Sequence, residues 1–88
     1  MPHLQQTFEA AVANSKNLSE RPDNMTLLKL YALYKQATAG DATGERPGML
    51  DFKGRAKYDA WAGKRGGTKD ASMQSYVALV EKLAAKYA

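Results

Sequence analysis

There is no cysteine in these 88 residues, so neither a disulfide nor a thiolate-bound metal can staple the chain. That absence fits a reducing compartment. The single histidine, His3, leaves no material for a His-based triad or a Cys/His zinc set. No apolar run approaches the ~20 residues of a membrane span. The opening MPHLQQTFEA lacks a basic-then-apolar leader, so no classical signal peptide is expected. Strand-like alternation, internal repeats and low-complexity segments are also missing, and the glycines do not fit the GxxxxGK[ST] phosphate loop. The carboxylates are scattered and form no acid/base couple. Together these absences weigh against an enzyme, a metal protein or a membrane protein. They leave a soluble, cytoplasmic binding module.

What is present suits that class. Eighty-eight residues make one small domain (residues 1–88), near the lower limit for a self-sufficient core. Hydrophobic residues at 44% and charged ones at 25% are ordinary for a globular chain. The net charge is +4, and it is unevenly spread. Between residues 53 and 69 lie Lys53, Arg55, Lys57, Lys64, Arg65 and Lys69 against one acid, Asp59. Such a patch favours anions of any kind, including nucleic acid, acidic lipid or a nucleotide-like ligand. A merely solvated face fits the charge run equally well.

Periodicity predicts four helices. Phe8, Ala11, Val12 and Ser15 fall at helical spacing within a first helix over Leu4–Lys16. Ser15 is a polar interruption of that face, and it is expected to weaken the contact with the last helix. After a turn-rich loop containing Pro22, either Asp23 or Asn24 can cap a second helix over Met25–Thr38. Gly40 stops it. That helix is apolar around much of its circumference, through Leu27, Leu28, Leu30, Tyr31, Leu33, Tyr34 and Ala37. It must therefore be covered on more than one side or line a groove. A third helix runs from an Asp51 cap to Trp61 or Ala62, despite Gly54, whose presence suggests close packing or a nearby ligand. Thr68 caps a fourth, with Asp70 complementing its dipole. There Met73, Tyr76, Val77, Val80, Leu83, Ala84 and Tyr87 keep perfect 3/4 spacing. The 11-residue connector Gly40–Leu50 can stretch ~36 Å, longer than the ~21 Å of the second helix. The chain can thus travel back before starting the third helix, leaving helices two and three parallel. Tyr34, Tyr58 and Tyr87 are expected in the core. Lys29, Lys64, Lys69, Lys82 and Lys86 are expected in solvent, and Arg46 is expected to pair with a carboxylate.

Two pairs stand out on the middle helices. Tyr31 and Lys35 lie four apart on one, Lys53 and Lys57 four apart on the other, so each pair shares a face. An aromatic ring beside several cations suits a phosphorylated, ring-bearing ligand. The segment YKQATAGDATGERPGMLDFKGRAKYDAW, Tyr34 to Trp61, closely resembles the signature of the acyl-CoA-binding protein family. The likeness runs without gaps from about Phe8 to Tyr87. It implies an all-α four-helix bundle, up-down-down-up, with a long overhand connector between helices two and three. It also implies a monomeric, non-catalytic carrier of one long-chain acyl-CoA, needing no cofactor and no metal and serving enzymes that make or use the ligand. By that resemblance Tyr31 lies against the adenine ring, while Lys35 and Lys57 engage the 3′-phosphate. Lys16 and Lys53 match positions at the rim, and Tyr76 matches a contact position. Leu27, Leu28 and Ala56 correspond to positions bordering the acyl channel. Val12 stands where the family commonly has alanine, Ser15 where it has an apolar residue, and Tyr58 where tryptophan is usual. The alternatives are a basic helical module for nucleic acid, and one docking on an acidic partner or membrane.

Overall fold

The computed structural model describes residues 3–87. Four helices form: α1 (Leu4–Ser15), α2 (Asn24–Ala39), α3 (Phe52–Ala62) and α4 (Lys69–Lys86). Three begin on the short polar side chains expected to cap them. Asp23 accepts from the Thr26 N–H, Asp51 from the Gly54 N–H and Thr68 from the Ala71 N–H, each satisfying a donor that has no partner within its own helix. Of the two candidate caps for α2, Asp23 is the one used, and Asn24 is the first helical residue. At Gly54 the cap supplies the reason for glycine, because a Cβ there would run into the Asp51 carboxylate. Gly40 ends α2 at φ 83°, a conformation that disfavours a side chain.

Side-chain contacts fix how the helices run. Lys57 of α3 reaches Tyr31 of α2, and Lys35 of α2 reaches Trp61 of α3. Both pairs are 26 residues apart and separated by one turn in the same direction, so α2 and α3 are parallel. Gln36, near the end of α2, donates to the Gly67 carbonyl just before α4, which makes those two antiparallel. Ser19, beyond the end of α1, donates to the Tyr87 carbonyl at the end of α4, so α1 and α4 run together. The result is the up-down-down-up bundle, with α4 against both α1 and α2, and α3 against α2 alone.

The core lies where α1, α2 and α4 meet. Leu4, Phe8, Leu30, Leu33, Met73, Tyr76, Val80 and Leu83 are all buried in it. Phe8 sits edge-on to Tyr76, with ring centroids 5.2 Å apart, a favoured aromatic arrangement. α3 adds only Trp61 to the buried set. The connector makes its side-chain contacts with α3 and the turn that follows it. Its carbonyls at Gly40, Ala42 and Gly44 accept from Trp61 Nε1, Arg65 and Tyr58 Oη. Arg46 closes the connector on α3 through a two-pronged bond to Asp59, at 2.8 and 2.7 Å. That pair lowers the Asp59 carboxyl below its usual range.

Two expectations need correction. Tyr34 is not core: it is 40% exposed, its ring stacked on Phe8 at the bundle's edge. Tyr58 and Tyr87 are half-buried rather than enclosed. Ser15 is not a defect in the α1 face either. Its hydroxyl donates to the Val12 carbonyl at 2.7 Å and accepts from the buried Tyr76 hydroxyl at 3.1 Å. A valine would strand the Tyr76 hydroxyl, and a buried donor without a partner costs about 1–3 kcal/mol. Ser15→Val is therefore expected to lower stability by about 1 kcal/mol after the gain in apolar contact. Thermal denaturation should show a melting temperature about 4–8 °C lower.

Candidate functional site

The middle helices meet in a pattern of crossed reach. α2 is two-faced: Leu30, Leu33 and Ala37 are buried in the core, while Leu27, Leu28, Tyr31 and Lys35 are half-buried. A helix apolar on both sides thus shows its second face beside α3. Across that line the Lys57 ammonium lies 5.5 Å from the centre of the Tyr31 ring, and the Lys35 ammonium 4.8 Å from the centre of the Trp61 ring. Tyr58 meets Trp61 edge-on, with centroids 6.3 Å apart. An ammonium over an aromatic face is attracted by the ring's negative quadrupole, by about 0.5–1 kcal/mol at an exposed site.

Neither lysine has a carboxylate. Among the described residues the one ion pair is Arg46 with Asp59. Two cations held a helix turn apart and facing only π-electrons are poised for an anion, and a phosphate offers each a charge-assisted hydrogen bond. The rings beneath them give a planar group somewhere to lie. The structure thus brings together Tyr31, Lys35 and Lys57, which the four-residue spacing had grouped only within each helix. It adds Trp61, which sequence reasoning treated only as part of a signature. Its usable signal was the repeat of the same 26-residue offset one turn further on.

The other predicted positions are more dispersed. Lys53 is exposed in the first turn of α3, and Ala56 is half-buried one turn further along. Lys16 is exposed just after α1. Tyr76 is only 4% exposed, its ring against Phe8 and its hydroxyl on Ser15. A cleft of about 570 Å³ lies elsewhere, between α1 and the end of α4. It holds none of the predicted positions, and Glu81 is its one charged residue.

Sequence reasoning also missed a polar latch that supports the site from behind. Gln36, 1% exposed, donates to both the Asp41 carboxylate and the Gly67 carbonyl at 2.8 Å. Asp41 in turn accepts from the Gly66 N–H at 2.9 Å. The latch ties the end of α2, which carries Lys35, to the turn between α3 and α4. The Gly66 N–H, then the Gln36 amide, hold the Asp41 carboxyl below its ordinary value. Hydrogen bonds likewise lower Asp23, through Thr26, and Asp59, through Arg46. A carboxylate lowered by folding stabilises the fold above its unfolded pKa, and that contribution is lost as pH falls through the folded value. Stability is therefore expected to decline below about pH 4. Asp41→Asn should flatten that decline in denaturant titrations repeated across pH.

No cluster of His, Cys, Asp or Glu able to hold a metal occurs among the described residues, and no described helix is long and apolar enough to cross a membrane. Comparison with known proteins gives one answer. The family model described as acyl CoA binding protein matches residues 5–80. An acyl-CoA-binding protein homolog 1 of Caenorhabditis elegans is 54% identical over 81 residues, 92% of this chain and 94% of that one. A Manduca sexta homolog is 51% identical over 83 residues, 93% of this chain and 92% of its own. Among solved structures, the Oryza sativa acyl-CoA-binding protein 2 superposes with a TM-score of 0.91 at 40% identity, over 94% of this chain and 90% of that one. The corresponding Moniliophthora perniciosa protein gives 0.88 at 34% identity, over 94% and 82%.

Proposed function

The chain belongs to the acyl-CoA-binding protein family, and from that premise we propose that it binds long-chain acyl-CoA thioesters and carries them, without catalysis, as a cytoplasmic monomer. The observation that supports this reading best is the crossed arrangement of Lys57 over Tyr31 and Lys35 over Trp61. Adenine stacks on Tyr31. The 3′-phosphate takes both ammonium groups from the rings on which they rest. Lys53 and Lys16 meet the rest of the charged head group at the rim, and Tyr76 backs the site from the core. The acyl chain lies along the second face of α2, between Leu27, Leu28 and Ala56. Enzymes that make and consume the thioester are the partners such a carrier would serve.

Trp61 is the sole tryptophan, and it reports on this exchange. When the Lys35 ammonium leaves its ring for a phosphate, indole emission should change. Titration with dodecanoyl-CoA is expected to shift Trp61 fluorescence and saturate at one ligand per chain. Lys35→Met should remove most of that change. An unchanged spectrum at a saturation proven by calorimetry would contradict the arrangement.

A further inference from the structure

The cleft of about 570 Å³ between α1 and the end of α4 has no part in the proposed acyl-CoA site. It owes its existence to three alanines. Ala10 and Ala11 of α1 and Ala84 of α4 bring only methyl groups to this seam, so the two helices pack without filling it. Ala11 and Val80 are buried and form the floor, with Val77 half-buried beside them. At one end Ser19 donates to the Tyr87 carbonyl and ties the helix ends together. The volume falls within the ~300–1,000 Å³ of small-molecule sites, which pair an apolar lining with a few polar groups. Nothing from α2 or α3 lines it.

Its polar groups select one sign of charge. Glu81 is the cleft's one charged residue, and among the described residues it has no ion-pair partner. A neutral or anionic occupant would strip water from that carboxylate and give nothing back. A cation gives it a charge-assisted hydrogen bond. Asn17 also lines the cleft. Its Nδ2 is spent on the Ala13 carbonyl, which leaves its amide oxygen as a second acceptor. No lysine of the chain fills the space: Lys86 rests its ammonium on the Tyr87 ring instead, 5.4 Å from the centre. The net charge of +4 does not reverse this preference, because at physiological salt charges beyond about 8 Å are largely screened.

We infer that the α1–α4 cleft is a second ligand site, for a small primary amine with an apolar body. The ammonium, with three donors, meets the Glu81 carboxylate and the Asn17 amide oxygen. The apolar body lies over Val77 and Val80 between Ala10 and Ala84. The site stands on its own geometry and is independent of the acyl-CoA reading.

The test is a titration of the isotope-labelled, ligand-free protein with 2-phenylethylamine, followed by NMR. Its neutral analogue 2-phenylethanol and the anion phenylacetate are run beside it. The amine is expected to give saturable shifts at Ala10, Asn17 and Ala84, and the two analogues much weaker ones. Glu81→Gln should weaken the amine about threefold to fivefold and leave 2-phenylethanol unaffected. Ala84→Leu should weaken it at least about tenfold, because the added carbons and the ligand compete for one volume. Ala10→Leu makes the same test from the other wall if Ala84→Leu disturbs the fold. Equal binding of amine and alcohol, indifference to Glu81→Gln, or shifts confined to other surfaces overturns the inference. So does a wild type that sediments as a dimer and becomes monomeric in Ala84→Leu, since a second copy then covers the cleft. Octanoyl-CoA affinity, measured on the same preparations, should be unchanged by Glu81→Gln and Ala84→Leu. A change there would join the cleft to the α2–α3 site and overturn its independence. Failure of the wild type to bind octanoyl-CoA would sink the proposed function and leave the amine site standing.

Discussion

Each methylene added to the acyl chain of the ligand is expected to tighten binding about fourfold, until the groove is full and affinity levels off. The figure follows from ~0.8 kcal/mol per buried methylene. It is an upper value, because the free chain already folds on itself in water. The structural basis is the second apolar face of α2, where Leu27 and Leu28 are half-buried and not enclosed by the core. That face is covered on one side only by α3, which among the helices packs on α2 alone. Butyryl-, octanoyl-, dodecanoyl- and palmitoyl-CoA, titrated calorimetrically, measure the slope directly. A flat response across the series would mean that the tail stays in water and that α2's surplus apolar surface serves some other contact.

The second large effect concerns the head group. Lys57→Ala should weaken palmitoyl-CoA binding by roughly tenfold to a hundredfold, because a charge-assisted hydrogen bond contributes ~1.5–3 kcal/mol. The same substitution should cost far less against dephospho-CoA esters, which lack the 3′-phosphate. Tyr31→Ala should weaken both ligands alike, since stacking of a base on a ring is indifferent to that phosphate. Lys64→Ala supplies the contrast. Lys64 lies beyond the end of α3, exposed to solvent, and its loss should change affinity only by a modest, salt-screened amount. If Lys57→Ala and Lys64→Ala proved equivalent, the lysines would be acting as diffuse charge rather than as a site.

Much of this molecule was readable before its structure. Helical spacing in α4 is unbroken, and the Thr68 and Asp51 caps follow from short polar side chains placed just ahead of helical runs. The length of the connector anticipated parallel middle helices, and the Tyr31–Lys57 and Lys35–Trp61 pairs bear that out. Those were local signals, or limits on how far a chain can stretch. The misses all depended on what another helix presents. Ser15 looked like a flaw in an apolar stripe, since its partner Tyr76 lies 61 residues away. Tyr34 shares the periodicity of buried residues, yet α2 has no neighbour on that edge that would enclose it. Gln36 reads as a surface glutamine within an apolar helix. It is buried because Asp41 and Gly67 converge on its amide.

The site was legible in a different way. Spacing alone placed Tyr31 with Lys35, and Lys53 with Lys57, on helix faces. It could not say that residues from two helices would converge. The resemblance carried that step, and the structure supplies the reason: a register in which residue i of α2 faces residue i+26 of α3. The same register puts Met25 and Phe52 at one end of the groove, 70% and 76% exposed. Nothing in the sequence hints at that exposure, because Met49, Leu50 and Phe52 look like ordinary core material until the connector's contacts are seen to lie on the far half of α3.

The central claim is that an acyl-CoA is held at once by its phosphorylated head and its apolar tail. Calorimetric titration with palmitoyl-CoA, free CoA and a short oligonucleotide, side by side in one buffer, tests it most directly. The account predicts one tight site for palmitoyl-CoA, much weaker binding of free CoA, and no saturable site for the oligonucleotide at physiological salt. Equal affinity for palmitoyl-CoA and free CoA, or tighter binding of the oligonucleotide with a steep loss on adding salt, would contradict it.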